Sequence, residues 1–244
     1  MTKERVLLKI GGESFSGEGL FGYDKNALEF VGEEILSVEN SHEISIVVGG
    51  GNFIRGAQLK KEIFERDTVV ADYIGMLMTV ANAILLEEFF KIRFNLKVVA
   101  MSALEVRQVC EPYIFKKAHN HLAKERINII GGGIGRPDFS TDTSMVIMAH
   151  ELGAGVVLKG TKVDGIFDRD PKNNPEAKFI PEISYLDYLN RGLQIIDSSA
   201  VTKAMEHGIK IVIFNFFKKG NLKRVLVNHD IGSVIKNIEK DSES

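Results

Sequence analysis

The chain has 244 residues, 44% of them hydrophobic, enough for a large core in one α/β domain or two small ones. Its 31 Lys+Arg against 33 Asp+Glu leave a formal net charge of -2, which disfavours a general nucleic-acid binder with its basic excess. Cys110 is the only cysteine, so an intrachain disulfide and a Cys-rich zinc site are excluded, and a reducing cytoplasm is the simplest fit.

Residues 1–5 lead directly into the strand-like run 6–10, with no signal-peptide core. Asp24 reads as an N-cap, followed by the helical stripe Ala27, Leu28, Val31, Ile35 and Val38. Residues 44–48 form the second apolar strand, 68–90 a long helix and 96–100 a third strand. The helix carries Asp72, Glu87 and Glu88, and no uncharged apolar segment is long enough to span a bilayer. Residues 113–126 read as helix, 127–130 as strand, 142–152 as helix and 155–159 as strand. The polar segment 167–181, broken by Pro171, Pro175 and Pro181, reads as a long surface loop or lid. Residues 183–189 and 198–207 read as helices, 209–214 as strand, 222–227 as a short helix and 233–235 as a last edge strand. The tail 239–244 is expected to fray. Alternating apolar strands and helices predict an α/β three-layer sandwich, a mainly parallel sheet with helices on both faces, in a single domain over 1–244.

Three glycine-rich corners follow strands: Lys9-Ile10-Gly11-Gly12-Glu13-Ser14, Gly49-Gly50-Gly51-Asn52-Phe53-Ile54-Arg55-Gly56 and Gly131-Gly132-Gly133-Ile134-Gly135-Arg136-Pro137. In parallel sheets ligands bind beyond the carboxyl ends of the strands, where these corners lie. Glycines there let backbone N–H groups close on an anion, and Arg55 offers a charged fork for phosphate. The known fingerprints fail: Gly51 to Gly56 continues Ala57-Gln58 where a Walker loop needs Lys-Ser/Thr, and Asp138 stands where a Rossmann loop needs glycine or alanine. Lys9 closes an apolar strand, a costly place for an unpaired charge, and points towards phosphate rather than simple snorkelling. Asp142 after Thr141 could be an ordinary helix cap; the glycine corner just before it tips it towards the site. From spacing alone Asp72 reads as a solvated helix residue. A fourth polar corner, Lys159-Gly160-Thr161-Lys162-Val163-Asp164-Gly165, ends another strand, and Asp168 and Asp170 beyond it could help hold Mg²⁺ through water. The six histidines carry no metal signature, and Met76, Met78, Leu77, Ile84, Leu85 and Leu86 read as core or subunit interface.

Taken together, Lys9–Glu13, the second glycine corner, Asp72-Tyr73-Ile74-Gly75-Met76-Leu77, Gly135–Asp142 and Thr161–Pro171 resemble bacterial UMP kinases of the amino acid kinase superfamily, in order along residues 5–235. The resemblance implies Mg²⁺-dependent phosphoryl transfer from ATP to UMP in pyrimidine nucleotide biosynthesis. It implies ATP contacts at Lys9, Ile10, Gly11, Gly12, Gly51, Arg55, Thr161, Phe167 and Asp170. It implies UMP contacts at Gly50, Asp72, Ile134, Gly135, Arg136, Pro137, Asp138, Phe139, Ser140 and Thr141, with Asp72 at the ribose. Lys9, Asp142 and one or both of Lys159 and Lys162 would be catalytic. The segment Gly17, Glu18, Gly19, Leu20, Phe21 and Gly22 matches a family stretch linked to GTP activation. Homohexamers, UTP inhibition and a cytoplasmic location are family properties. The chain departs from the family at Gly11, usually serine, at Arg136, usually asparagine, and at Asp138, usually aromatic. Two rival readings are a sibling kinase with a carboxylate or carbamate acceptor and a nucleotide sensor without turnover.

Overall fold

The apolar runs of the sequence become the strands of one large sheet in the computed structural model, which describes residues 3–19, 21–54, 56–171, 173–227 and 230–238. Residues 239–244, expected to fray, lie outside the described residues, as do Leu20 and Arg55. The strands are β1 (Glu4–Ile10), β2 (His42–Val48), β3 (Val98–Ser102), β4 (Glu111–Pro112), β5 (Ile127–Gly131), β6 (Val156–Thr161), β7 (Ile166–Phe167), β8 (Phe179–Ile180), β9 (Glu182–Ser184), β10 (Lys210–Asn215) and β11 (Ser233–Lys236). The helices are α1 (Lys25–Leu36), α2 (Gly56–Gln58), α3 (Val69–Phe94), α4 (Phe115–Ala123), α5 (Thr141–Leu152), α6 (Tyr185–Asn190), α7 (Ser198–His207) and α8 (Asn221–Val227).

The nine-stranded sheet has the order β4-β3-β5-β2-β1-β6-β10-β11-β9. The seven strands from β4 to β10 pair in parallel; β11 is antiparallel to β10 and parallel to β9. Side chains alternate across each strand, so the sheet feeds two cores. Val6, Leu8, Ile10, Ile46 and Val48 meet α1, α3 and α8 on one face. Leu7, Val47, Val157, Ile211 and Ile213 meet α5 and α7 on the other. This is the expected sandwich, with helices on both faces.

Local chemistry sets the ends. Asp24 caps α1 by accepting from the Ala27 N–H (2.8 Å), as read from the sequence. Thr68 caps α3, and Asn95, left-handed at φ 53°, stops it. Glu34, buried on α1, accepts from the backbone N–H of Gly220 (2.6 Å) and Leu222 (3.1 Å) and so caps α8 from another element. At 26 residues, α3 is longer than expected and has the length and composition of a membrane span. It nevertheless packs on β3 and β5 and buries polar Thr79 and Asn82, as a core helix does.

Four expectations are corrected. Residues 183 and 184, expected as helix, belong to β9, because α6 starts only after Ser184, its N-cap, which accepts from the Asp187 N–H (3.0 Å). β11 is interior, since β9 pairs with its outer side. The segment 167–181 is not all loop: β7 and β8 form an antiparallel hairpin at its base. Ser233 pins that hairpin, with Oγ accepting from the Ile166 N–H (2.8 Å) and donating to the Ile180 carbonyl (2.6 Å). The N-cap of α5 is Ser140, which accepts from the Thr143 N–H (3.1 Å), so Asp142 is freed from capping.

Candidate active site

The carboxyl ends of β5, β2, β1 and β6 lie side by side, and all four polar corners open on one cleft of about 770 Å³. The first and second corners nest tightly. A Cβ on Gly12 would stand 2.4 Å from the Gly51 nitrogen and 2.5 Å from the Asn52 Oδ1, so only glycine permits this approach. The third corner turns at Gly132, left-handed at φ 83°, whose N–H donates to Thr79 Oγ1 (2.7 Å) on α3.

Parallel register makes Lys9 and Lys159 direct partners on β1 and β6. Facing residues on adjacent strands point the same way, about 4.8 Å apart, and like charges there repel. Asp142, on α5 above the two strands, resolves the conflict. Its Oδ2 accepts from Lys159 Nζ, and its Oδ1 faces Lys9 Nζ at 3.5 Å, an ion-pair distance without a formed hydrogen bond. Lys159 also donates to the Ile195 carbonyl (2.6 Å). Asp142 and Lys159 are both nearly buried, at 7% and 8% exposure. Burial alone would raise the Asp142 carboxyl, but the two ammonium groups outweigh it and hold it below the ordinary carboxylate range. Burial pushes Lys159 below the usual lysine value; Asp142 opposes that shift and the like charge of Lys9 adds to it. The result is a net positive cluster at the cleft floor, fixed before any ligand arrives.

Of the residues expected to hold ATP, Lys9, Gly11, Gly12, Gly51 and Thr161 line this cleft. Ile10 is fully buried core. Phe167 and Asp170 line an adjoining cavity of about 540 Å³, also lined by residues 191–195. Arg55 lies outside the described residues. Of the residues expected at UMP, Gly50, Asp72, Arg136, Asp138, Phe139 and Ser140 line the cleft, as does Thr141; Ile134, Gly135 and Pro137 do not. Asp72, which spacing alone reads as solvated, accepts from Lys60 Nζ (3.1 Å) and from the Asp138 N–H (3.2 Å). Lys159 is the lysine beside Asp142, whereas Lys162 lies over the Phe217 ring, 5.3 Å from its centroid. Gly17 and Glu18 line a third cavity of about 560 Å³ that shares Lys162 and Glu13 with the cleft; Gly19, Phe21 and Gly22 do not, and Leu20 is outside the described residues. Asp168 is engaged in its own hairpin, accepting from the Lys178 N–H (2.8 Å).

Sequence reasoning missed Lys60 and Thr79. Lys60 gathers Asp67 (2.8 Å), Asp72 and Asp138 (3.9 Å) around one ammonium, and its hydrogen bonds to Asp67 and Asp72 hold it above the usual lysine value. No spacing announces it. Thr79, two helical turns beyond Asp72 on one face of α3, was findable from that periodicity.

The chain as a whole is similar to proteins of known kind. The model of the amino acid kinase family matches residues 4–215. A uridylate kinase of Wolinella succinogenes is 42% identical over 225 residues, covering 92% of each chain. The crystal structure of UMP kinase from Bacillus anthracis superposes with a TM-score of 0.91 at 33% identity, covering 97% of both chains. That from Ureaplasma parvum gives 0.91 at 28% identity, covering 97% of this chain and 100% of the other.

Proposed function

The chain belongs to the amino acid kinase family and is a nucleoside monophosphate kinase of the UMP kinase type; from that premise we propose that it transfers the γ-phosphoryl group of ATP to UMP, giving ADP and UDP. The observation that carries this reading is the Lys9–Asp142–Lys159 cluster set among three glycine corners. Phosphoryl transfer needs alignment and charge neutralisation more than covalent chemistry. Lys9 and Lys159 neutralise the transferring group from two sides. Asp142 orients both lysines and removes no proton, because the phosphate of UMP is already an adequate nucleophile. Lys162, turned onto Phe217, takes the outer position at the donor's side.

Gly50 faces the phosphate of UMP, and Asp72 its ribose hydroxyls. The loop 134–141 holds the base, with Arg136 contributing a cation that forms no ion pair among the described residues. Gly11, Gly12, Gly51, Arg55 and Thr161 hold the ATP phosphates, and the cavity at Phe167 and Asp170 takes the adenosine. Mg²⁺ arriving with ATP would supply further charge neutralisation there.

The same reading places the enzyme in cytoplasmic pyrimidine nucleotide biosynthesis, inhibited by UTP and activated by GTP through the segment 17–22. It works as a homo-oligomer, a hexamer by family pattern. Val70, Tyr73 and Leu77, exposed at helical spacing along α3, support that assembly. The test is ADP release with UMP, CMP, acetylglutamate or aspartate as sole acceptor. Turnover with UMP is expected; none with UMP refutes the reading, and turnover with an amino acid instead points to the sibling kinases.

A further inference from the structure

Two fully buried amides lie beneath the glycine triplet, outside the lysine–carboxylate cluster. Asn82, on α3, donates from Nδ2 to the Gly49 carbonyl (2.6 Å) and to Asn52 Oδ1 (2.8 Å). Asn52 Nδ2 returns a bond to Asn82 Oδ1 (3.1 Å) and donates to the Gly22 carbonyl (3.0 Å). Each amide has two N–H bonds, and all four are used. The orientation of both is dictated by the network, since backbone carbonyls only accept.

A buried amide is costly unless its partners stay in place. Here the partners are the corner itself. The Gly49 carbonyl is held by Asn82, while the Gly49 N–H donates to the Ile10 carbonyl (2.8 Å) at the end of β1. The Gly22 N–H donates to the Asn52 carbonyl (2.8 Å), and Phe21 and Tyr23 both stack edge-on against Phe53. The Asn52 side chain also lies against Gly12. Among the described residues none accepts a hydrogen bond from the backbone N–H of Gly50 or Gly51, and both residues line the cleft.

We propose that Asn52 and Asn82 are positioning residues for phosphoryl transfer: their reciprocal amide pair sets the height at which the Gly49–Gly51 backbone meets the phosphates. The inference rests on the triplet being the phosphate-binding corner. Neither side chain lines the cleft, and both act through the backbone they hold. Losing either lets the corner shift, so turnover falls more than stability alone accounts for, because misplacement of about 1 Å can cost roughly 100-fold in rate.

The test compares full-length Asn82→Ala with Leu86→Ala, a fully buried apolar core residue one turn further along α3 with no hydrogen-bonding side-chain group. Thermal unfolding, kcat, KM for ATP, and amide hydrogen exchange of residues 49–54 with and without a non-hydrolysable ATP analogue are measured. The expected result is a kcat at least about 30-fold lower for Asn82→Ala, with loss of nucleotide-induced protection at 49–54. Leu86→Ala, melting at least as low, keeps kcat within about threefold and keeps the protection. Equal loss of kcat in both variants, or full protection in Asn82→Ala, overturns the proposal. Wild-type protein that phosphorylates UMP but shows no protection at 49–54 refutes the phosphate reading of the triplet, a separate outcome that removes the premise. If Asn82→Ala does not fold, Asn52→Ser is judged by the same criteria.

Discussion

Replacing Gly12 with alanine puts the nesting of the corners to a direct test. The new Cβ would stand 2.4 Å from the Gly51 nitrogen and 2.7 Å from the Asn52 nitrogen, about 1 Å inside ordinary contact. Both obstacles are backbone, so no side chain can swing away to relieve them. The first and second corners must therefore part by roughly 1 Å. Overpacking of this kind costs about 1–3 kcal/mol of stability. A 1 Å misplacement of the phosphate-binding backbone costs about 100-fold in rate, or ~2.7 kcal/mol of transition-state stabilisation. Gly155→Ala is the control, since nothing lies within 4 Å of its added Cβ. Steady-state ADP release with UMP and thermal unfolding are measured on both. Gly12→Ala should fold, melt a few degrees lower and lose about two decades of kcat/KM, while Gly155→Ala stays near wild type. A folded Gly12→Ala variant with near-normal kcat/KM would refute the argument that the approach of these corners sets the reaction geometry.

Lys9→Ala should lower kcat by two to three decades, the scale on which one preorganised charge stabiliser acts, with a modest loss of stability because Asp142 keeps Lys159; near-normal turnover sinks the role given to Lys9. Asp142→Asn leaves two facing ammonium groups nearly buried and should cost about 3–5 kcal/mol at neutral pH. Because the folded carboxyl of Asp142 lies below its unfolded value, that stabilisation is present above the ordinary carboxylate range and is lost as pH falls through the folded value. The wild-type advantage over Asp142→Asn, read by urea unfolding, should therefore shrink from neutral pH towards pH 3, and an advantage that grows on acidification contradicts the assignment. Glu34→Ala removes the acceptor for the Gly220 and Leu222 N–H groups and should cost about 1–3 kcal/mol, roughly 3–10 °C in Tm, with kcat unchanged; an unshifted Tm shows that the cap contributes nothing.

The strands 6–10, 44–48 and 127–130 were legible because a strand covered on both faces reads as a continuous apolar run. The cap at Asp24 was legible because its partner is three residues away. β4, β7 and β8, of two residues each, carry no pattern to read, and β9 was hidden by the helical stripe that begins just beyond Ser184. The site split along the same line. The glycines and Lys9 declare themselves because their chemistry is unusual at a strand end. The contacts of Asp142 do not, because they depend on the register of β1 with β6, which sets Lys9 beside a lysine 150 positions away. Lys60 and Asn82 were invisible for the same reason: each acts through partners that only the fold brings near. The family resemblance placed Asp72 where spacing alone had left it in solvent.

The order of the corners across the sheet argues where the two substrates must meet. The third corner follows β5, the triplet β2, the first corner β1, and Lys159 lies on β6, and these four strands are consecutive neighbours. Asp72 and the loop bearing Asp138 lie on the β5 side, joined through the Asp138 N–H. The hairpin cavity with Phe167 and Asp170 adjoins the fourth corner, on the β6 side. Under the proposed function, an acceptor held at one end and a donor held at the other would bring their phosphates together over β2 and β1. That is where Gly12 and Gly51 nest, and where a Cβ on Gly12 would collide with backbone. Lys9 and Lys159 stand at the β1–β6 join, so on that reading positive charge would lie on the donor's side of the meeting point and polar backbone on the acceptor's. The lack of a side chain at Gly12 is demanded by the fold, which closes two corners on each other, and under the proposed reaction a bare backbone there would also let two anions come into line.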